Sequence, residues 1–305
     1  MTQAMPGRRP VVLITGASTG LGLAMARRLL ASGQWTLVLT ARAPSLGRFA
    51  LQGITEGPHV KLRPLDVRDV EQRIDIIDEI EESMGGLDVL INNAGYSVRA
   101  VVEHVTEEDR LDQMDVNFRA PMELIRLALP GMRARRRGRI INISSVGGMM
   151  AMPTMSVYSA SKFALEGACE ALWYEVRPWN IHVTLVEPGF INSDGFEKVR
   201  WTVQSRDAMD HAAMAYHAHY QHMSSFIGRI MRWAPATPDR VAARVERIMT
   251  QPAPPLRKPA TLDAWFFSWL RRLLPRGLYH RLLYAMLPGI RHWGRTARRP
   301  FDPRR

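Results

Sequence analysis

The sequence predicts an α/β protein, a doubly wound and mainly parallel sheet with helices on both faces. Three observations carry this. Residues 1–190 alternate short apolar runs with longer helical patterns, and such alternation implies parallel strands joined by right-handed crossovers. The first apolar run ends in a glycine-rich turn that opens a helix. The chain is 305 residues long, 46% hydrophobic and 23% charged, which is ample for one large core and unlike a disordered polymer.

The elements follow in order. Val11 to Thr15 reads as a buried strand, and residues 20–32 as a helix with Leu21, Met25, Leu29 and Leu30 on one face. Trp35–Ala41 and His59–Leu65 are the second and third strands. Residues 69–83 form an amphipathic helix carrying Ile74, Ile76, Ile77 and Ile80, and Leu87–Ile91 is the fourth strand. Long helices over 106–134 and 156–177 enclose a fifth strand, Arg139–Ile143; a sixth is Ile181–Val186.

Residues 190–235 break the rhythm. They are rich in Met, His, Tyr and Trp, carry no strand signal, and read as a helical lid over the sheet edge. Thr237-Pro238-Asp239 starts a helix over 238–250, and a proline-rich stretch, 252–259, leads into a basic tail. The expected organisation is a nucleotide-binding catalytic domain over 1–260, with the lid at 190–235, and a basic amphipathic extension over 261–305.

The charge is uneven. The chain carries 41 basic and 29 acidic side chains, a net +12 that would suit nucleic acid or an anionic membrane. Residues 251–305 hold 12 of the basic and 2 of the acidic groups, so +10 of the excess belongs to the tail. No aromatic–basic platform supports nucleic-acid binding, and none is expected. The single cysteine, Cys169, excludes an intrachain disulfide and a thiolate metal cluster. No segment has the sustained apolarity of a membrane span, and Arg8-Arg9 is followed by too short an apolar run for an export signal, so a cytoplasmic location is expected.

Gly16-Ala17-Ser18-Thr19-Gly20-Leu21-Gly22 links the first strand to the first helix. Glycines serve where the backbone turns sharply and where a pyrophosphate must come close, and the helix N-terminus offers N–H groups to the anion. The second strand ends in Ala41-Arg42, where NAD-binding folds place a carboxylate for the ribose 2′-hydroxyl. A guanidinium there suits a 2′-phosphate, which favours NADP(H) over NAD(H). Tyr158 and Lys162 are four apart on one helical face, so the ammonium is expected to lower the phenol's pKa. Ser145 stands just past the fifth strand, where its hydroxyl could meet a substrate carbonyl. His211, His217, His219 and His222 fit no ligand pattern, and no metal is expected.

In these motifs the chain resembles the short-chain dehydrogenase/reductase family, single-domain type. The matching residues are Thr15–Gly22, Asp66-Val67, Asn92-Asn93-Ala94-Gly95, Asn117, Ser145, Tyr158 with Lys162, and Pro188-Gly189, in family order over residues 10 to about 260. The resemblance implies a Rossmann-like fold and a role for each residue. Tyr158 would be general acid in carbonyl reduction and base in alcohol oxidation, and Lys162 would hold the nicotinamide ribose. Ser145 would position the substrate oxygen, and Asn117 would hold a water in a proton relay. Gly16, Ser18, Thr19, Gly20, Leu21 and Gly22 would cradle the pyrophosphate, and Arg42, Asp66 and Val67 would lie at the adenosine end. Asn93, Ala94 and Gly95 would support the central strands at the cofactor, and Pro188, Gly189, Ile191 and Ser193 would line the nicotinamide pocket. Ser193 stands where the family often has Thr, and Leu21 where it often has Ile. Relatives often pair through the two long helices, which implies a dimer or tetramer.

Substrate recognition is expected from the lid, with Phe190, and from a methionine-rich loop before Tyr158 that includes Met149 and Met155. The expected substrate is a hydrophobic carbonyl or alcohol of steroid, retinoid or lipid type. The stretch Tyr158-Ser-Ala-Ser-Lys-Phe-Ala-Leu-Glu-Gly resembles the hydroxysteroid and retinol dehydrogenase branch. The alternatives are a non-catalytic NADP(H)-sensing module and NAD(H)-dependent alcohol oxidation. In the tail, Trp265, Phe266, Trp269, Leu270 and Leu273, and then Leu278, Tyr279, Leu282, Leu283 and Met286, recur at helical spacing with arginines between them. Such helices suit either an anionic membrane surface, which would place the protein at the inner face of a membrane, or docking on the body or a second subunit.

Overall fold

The computed structural model describes residues 8–192 and 199–294. The chain runs β1 (Val11–Ile14), α1 (Gly20–Ser32), β2 (Thr36–Ala41), α2 (Gly47–Leu51), β3 (Val60–Pro64), α3 (Val70–Ser83), β4 (Val89–Asn92) and β5 (Val98–Arg99). It continues through α4 (Glu107–Met114), α5 (Ala120–Ala134), β6 (Gly138–Ile143), α6 (Ser156–Val176), β7 (Ile181–Glu187) and β8 (Arg200–Trp201). It ends with α7 (Val203–Asp210), α8 (His217–Trp233), α9 (Pro238–Thr250), β9 (Arg257–Pro259), α10 (Leu262–Leu273) and α11 (Arg276–Met286).

Seven strands form one parallel sheet in the order β3-β2-β1-β4-β6-β7-β9. Successive strand side chains point to opposite faces, and β1 shows the consequence. Val12 and Ile14 join the apolar layer that includes Met25 and Leu29 of α1 and Val245 of α9. Val11 and Leu13 join the opposite layer, with Ile77 of α3, Leu124 of α5 and Leu165 of α6. Burying each such side chain contributes roughly 1.5–3 kcal/mol.

The expected elements form close to their predicted bounds, with three informative differences. The helix expected over 106–134 is interrupted by a π-helical turn, Asp115–Arg119, between α4 and α5. Pro121 has no N–H to donate to the Asn117 carbonyl four residues back, and a wider turn accommodates that gap. The proline-rich linker contains β9, which pairs with β7 through Leu185 and Arg257. Proline is tolerated there because β9 is an edge strand. The lid is helical as expected but contains a short strand, β8, paired in parallel with β5.

The lid is anchored on the body by Tyr220, which is fully buried. Its hydroxyl accepts from the Val101 N–H and meets His104 Nδ1, each at 2.9 Å. Tyr216 donates to Glu103 at 2.6 Å. The tail is docked as well: Ala264 and Tyr279 are buried in a cluster with Val146 and Met150. Among the described residues, no helix is long and apolar enough to cross a membrane.

Candidate active site

Parallel strands deliver their C-terminal ends to one rim of the sheet, and the candidate residues gather there. The loop after β1 is shaped by its glycines. Gly16 and Gly20 have φ of +64° and +56°, the left-handed region that disfavours side chains. Gly22 is required for space, because a Cβ there would lie 2.2 Å from the Gly16 carbonyl oxygen and 2.6 Å from Asn93 Nδ2. Asn93 fixes the loop from β4 by donating to the carbonyls of Thr15 at 2.9 Å and Gly16 at 3.1 Å. The Thr15 hydroxyl accepts from the Asn93 and Ala94 N–H groups, both at 2.9 Å. Thr19 caps α1 without a side-chain hydrogen bond, and the first turn holds no acidic residue. The helix end therefore presents N–H groups and a positive dipole to an anion.

At the end of β2, Arg42 is exposed. Asp66 follows β3; its carboxylate accepts from Arg68 Nη2 at 2.8 Å, and Arg68 and Arg42 hold it below the usual carboxylate range. Arg68 also reaches Asp112 at 2.7 Å. Val67 is buried, and its carbonyl accepts from Arg73 at 2.6 Å.

Ser145 follows β6. Its hydroxyl accepts from the Gly147 N–H at 3.0 Å and, like the Tyr158 ring, borders Gly147. The Tyr158 ring lies on Gly147, whose Cβ, if present, would meet ring carbon Cε1 at 2.9 Å. One turn along α6, Lys162 is buried and donates to the Ile143 carbonyl at 2.8 Å. Burial brings its ammonium down to about 8, against an opposing pull from Glu166. The expected lowering of the Tyr158 pKa is not met. Burial raises it, and the Ser145 hydroxyl is what opposes the rise. Lys162 is turned to the Ile143 carbonyl, and its charge does not offset the desolvation of the phenol.

Asn117 is buried in the π-turn. It donates to the Tyr96 carbonyl at 3.0 Å and to Ser161 Oγ at 3.1 Å, and accepts from the Tyr96 N–H at 3.2 Å. Gly95 lies between Asn117 and Lys162: a Cβ there would be 3.1 Å from Asn117 Oδ1 and 3.8 Å from Lys162 Nζ.

After β7, the Pro188 carbonyl accepts from the Val146 N–H at 2.7 Å, tying this loop to the Ser145 loop. Gly189 donates to Thr261 Oγ1 and Phe190 to Asp263 Oδ2, both at 2.9 Å. A Cβ on Gly189 would lie 1.8 Å from Asp263 Oδ2, so the first turn of α10 occupies the space a side chain would need. Sequence reasoning missed this support. Thr261 and Asp263 look only like a helix start, and their partners are more than 70 residues away. Ile191 packs on the apolar layer of α1 and α9. Ser193 lies outside the described residues.

Met149 packs in the tail cluster with Phe267, Leu270 and Leu283. Met155 is buried at the start of α6, and Arg99 Nη2 contacts its sulfur at 3.8 Å. Phe190 is half-buried. His219 and His222 pack against Trp293 and His292, with ring centroids 4.2 and 5.7 Å apart. Among the described residues no three His, Cys, Asp or Glu groups could hold a metal.

A second group was also missed. Glu166 and Glu187 are buried beside Arg257, which donates to Glu166 at 3.0 Å and Glu170 at 2.7 Å and stands 3.8 Å from Glu187. Burial and Glu166 push Glu187 up to about 8, from 4.5. Between those values the folded chain holds a proton that the unfolded chain has released, so stability falls as pH rises. Lys162 acts in the opposite sense, but only from about 8 to 10.5. His104, His182 and His219, held by burial below their usual value of 6.5, also oppose it at the acid end, so it is the wild type's urea midpoint relative to that of Glu187→Gln that should drop from pH 5.5 to 8. Parallel profiles for the two proteins would refute this.

The profile of the family described as short chain dehydrogenase matches residues 10–204. The chain belongs to the short-chain dehydrogenase family. Among its relatives, it is 41% identical over 185 residues to a 3-ketodihydrosphingosine reductase of Bacteroides thetaiotaomicron, covering 60% of this chain and 64% of that one. The chain thus spans less than two thirds of that relative's length. It is 33% identical over 256 residues to human 17-beta-hydroxysteroid dehydrogenase type 1, covering 82% of this chain and 76% of that one. The crystal structure of a short-chain dehydrogenase from Streptomyces avermitilis superposes with a TM-score of 0.75 at 28% identity, covering 92% of this chain and all of that one. A metagenomic short-chain oxidoreductase in complex with NADP superposes with a TM-score of 0.62 at 25% identity, covering 84% of this chain and 99% of that one.

Proposed function

We propose that the protein is an NADP(H)-dependent oxidoreductase that interconverts a carbonyl and an alcohol on a hydrophobic substrate. The observation that carries this reading is the meeting of Ser145 and Tyr158 around Gly147, with Lys162 one turn on, at the rim that holds the glycine loop. The residues present suit a dinucleotide. Gly16 and Gly22 leave the loop bare, Thr19 opens the helix end, and Asn93 braces both. When bound, the nicotinamide supplies the hydride.

The chain's own residues do the rest. Ser145 holds the substrate oxygen beside the Tyr158 hydroxyl. Tyr158 delivers the proton at that oxygen during reduction and takes it back during oxidation. Its raised pKa keeps the phenol protonated at neutral pH, as an acid must be. Lys162 holds the ribose and re-protonates Tyr158, and Asn117 connects Lys162 to solvent through a water. The half-buried Phe190, next to Gly189, favours a lipid-like or steroid-like substrate. The reductase and hydroxysteroid dehydrogenase relatives support that class. Pairing of copies through α5 and α6 belongs to the same reading and is checked by light scattering.

Arg42 is the basis for preferring NADP(H). Arg42→Ala should lower kcat/KM for NADPH by roughly tenfold or more, the scale of one charge-assisted hydrogen bond. The value for NADH should stay nearly unchanged. Equal losses with both cofactors would assign Arg42 no role in the choice.

A further inference from the structure

The tail helices have two apolar faces, and the body covers one of them. On the covered side, Ala264, Phe267, Leu270 and Leu274 of the α10 segment pack with Tyr279 and Leu283 of α11 against Val146, Met149, Met150 and Met152. On the other side, Leu262, Trp265, Phe266, Trp269 and Leu273 stand out of α10 with exposures of 45–71%. Leu278, Leu282, Tyr284 and Met286 are likewise exposed on α11. Nine of the seventeen large exposed apolar side chains among the described residues thus fall within residues 262–286. A soluble surface rarely concentrates apolar groups in this way without a partner.

The surrounding charge selects the partner. Residues 264–294 contain five arginines and no acidic residue. Arg272, Arg281 and Arg291 are exposed, the first two next in sequence to the exposed Leu273 and Leu282, whereas Arg271 is held over the Phe163 ring at 5.0 Å. Exposed tryptophans at positions 265 and 269, with ring centroids 6.0 Å apart, are amphipathic groups suited to a water–hydrocarbon boundary. Apolar helix faces with aromatic residues, rimmed by arginine, match an anionic lipid surface in both chemistry and sign.

We propose that α10 and α11 form an interfacial foot that rests on an anionic bilayer, while their covered sides brace the methionine loop and the Gly189 turn. The foot lies on the membrane; among the described residues no helix is long and apolar enough to cross it. The foot would place that loop at the lipid boundary, where an apolar substrate is concentrated.

The test is flotation of the full-length protein with vesicles of phosphatidylcholine, with and without phosphatidylglycerol. The wild type should float with the phosphatidylglycerol vesicles, stay behind with pure phosphatidylcholine, and be released by high salt. Two triple variants, W265S/F266S/W269S and R272Q/R281Q/R291Q, should each lose binding by about tenfold or more. Their circular dichroism and melting temperature should match the wild type, since none of the six side chains is buried. Three results would overturn the proposal: no binding by the wild type, equal binding by either variant, or a wild-type dimer that ignores vesicles and is split by the apolar variant. Flotation needs no turnover, so its outcome is independent of the proposed reaction.

Discussion

Tyr158→Phe should reduce kcat for carbonyl reduction by roughly 10²–10⁴-fold, the usual contribution of a positioned proton donor. The Tyr158 ring is seated on Gly147, beside Ser145 Oγ. Phenylalanine keeps that seat and removes only the hydroxyl. Cofactor affinity, followed by quenching of protein fluorescence on titration with NADPH, should change little. Ser145→Ala should give a smaller loss, because it removes an orienting hydrogen bond and leaves the donor. If Tyr158→Phe retained most of the activity, the proton would come from another group and the assigned mechanism would fail.

Gly22→Val should be the most damaging single change to cofactor binding. Its first added carbon would fall 2.2 Å from the Gly16 carbonyl oxygen, a backbone atom that cannot swing aside. The loop would have to open, breaking the hydrogen bonds from Asn93 to Thr15 and Gly16. Affinity for NADPH should fall at least a hundredfold, with a lower melting temperature, since strain of several kcal/mol is expected from overpacking a buried turn. Gly47→Ala is the control. Nothing lies within 4 Å of a Cβ there, so neither quantity should move much. A Gly22→Val protein with unchanged affinity would show that the loop does not hold the cofactor.

Elements whose signals are local were legible in the sequence. The β1 run, the glycine turn and the helix start at Thr237 depend on neighbours within a few residues, and each formed where expected. The Tyr158–Lys162 pair was legible because helical spacing alone puts the two on one face. What escaped was set by distant partners. β9 is three residues with a proline, too short for periodicity, and it exists because β7 offers an unpaired edge. Thr261 and Asp263 look like an ordinary helix start until Gly189 and Phe190 arrive from 72 and 73 residues away. The Tyr158 pKa runs opposite to what the spacing suggests, because spacing reports proximity and says nothing of desolvation. The tail's sequence suits either docking or a membrane surface. The structure divides it by face, with one side on the body and the other exposed.

The most direct test of the central claim is NADPH oxidation by the purified protein against a panel of hydrophobic ketones and aldehydes, with the alcohol product identified by mass spectrometry. The account predicts stoichiometric NADPH loss and alcohol formation with at least one apolar carbonyl, slower turnover with NADH, and loss of both signals in Tyr158→Phe. Tight NADPH binding with no product across the panel would contradict it and point to a cofactor-sensing module instead.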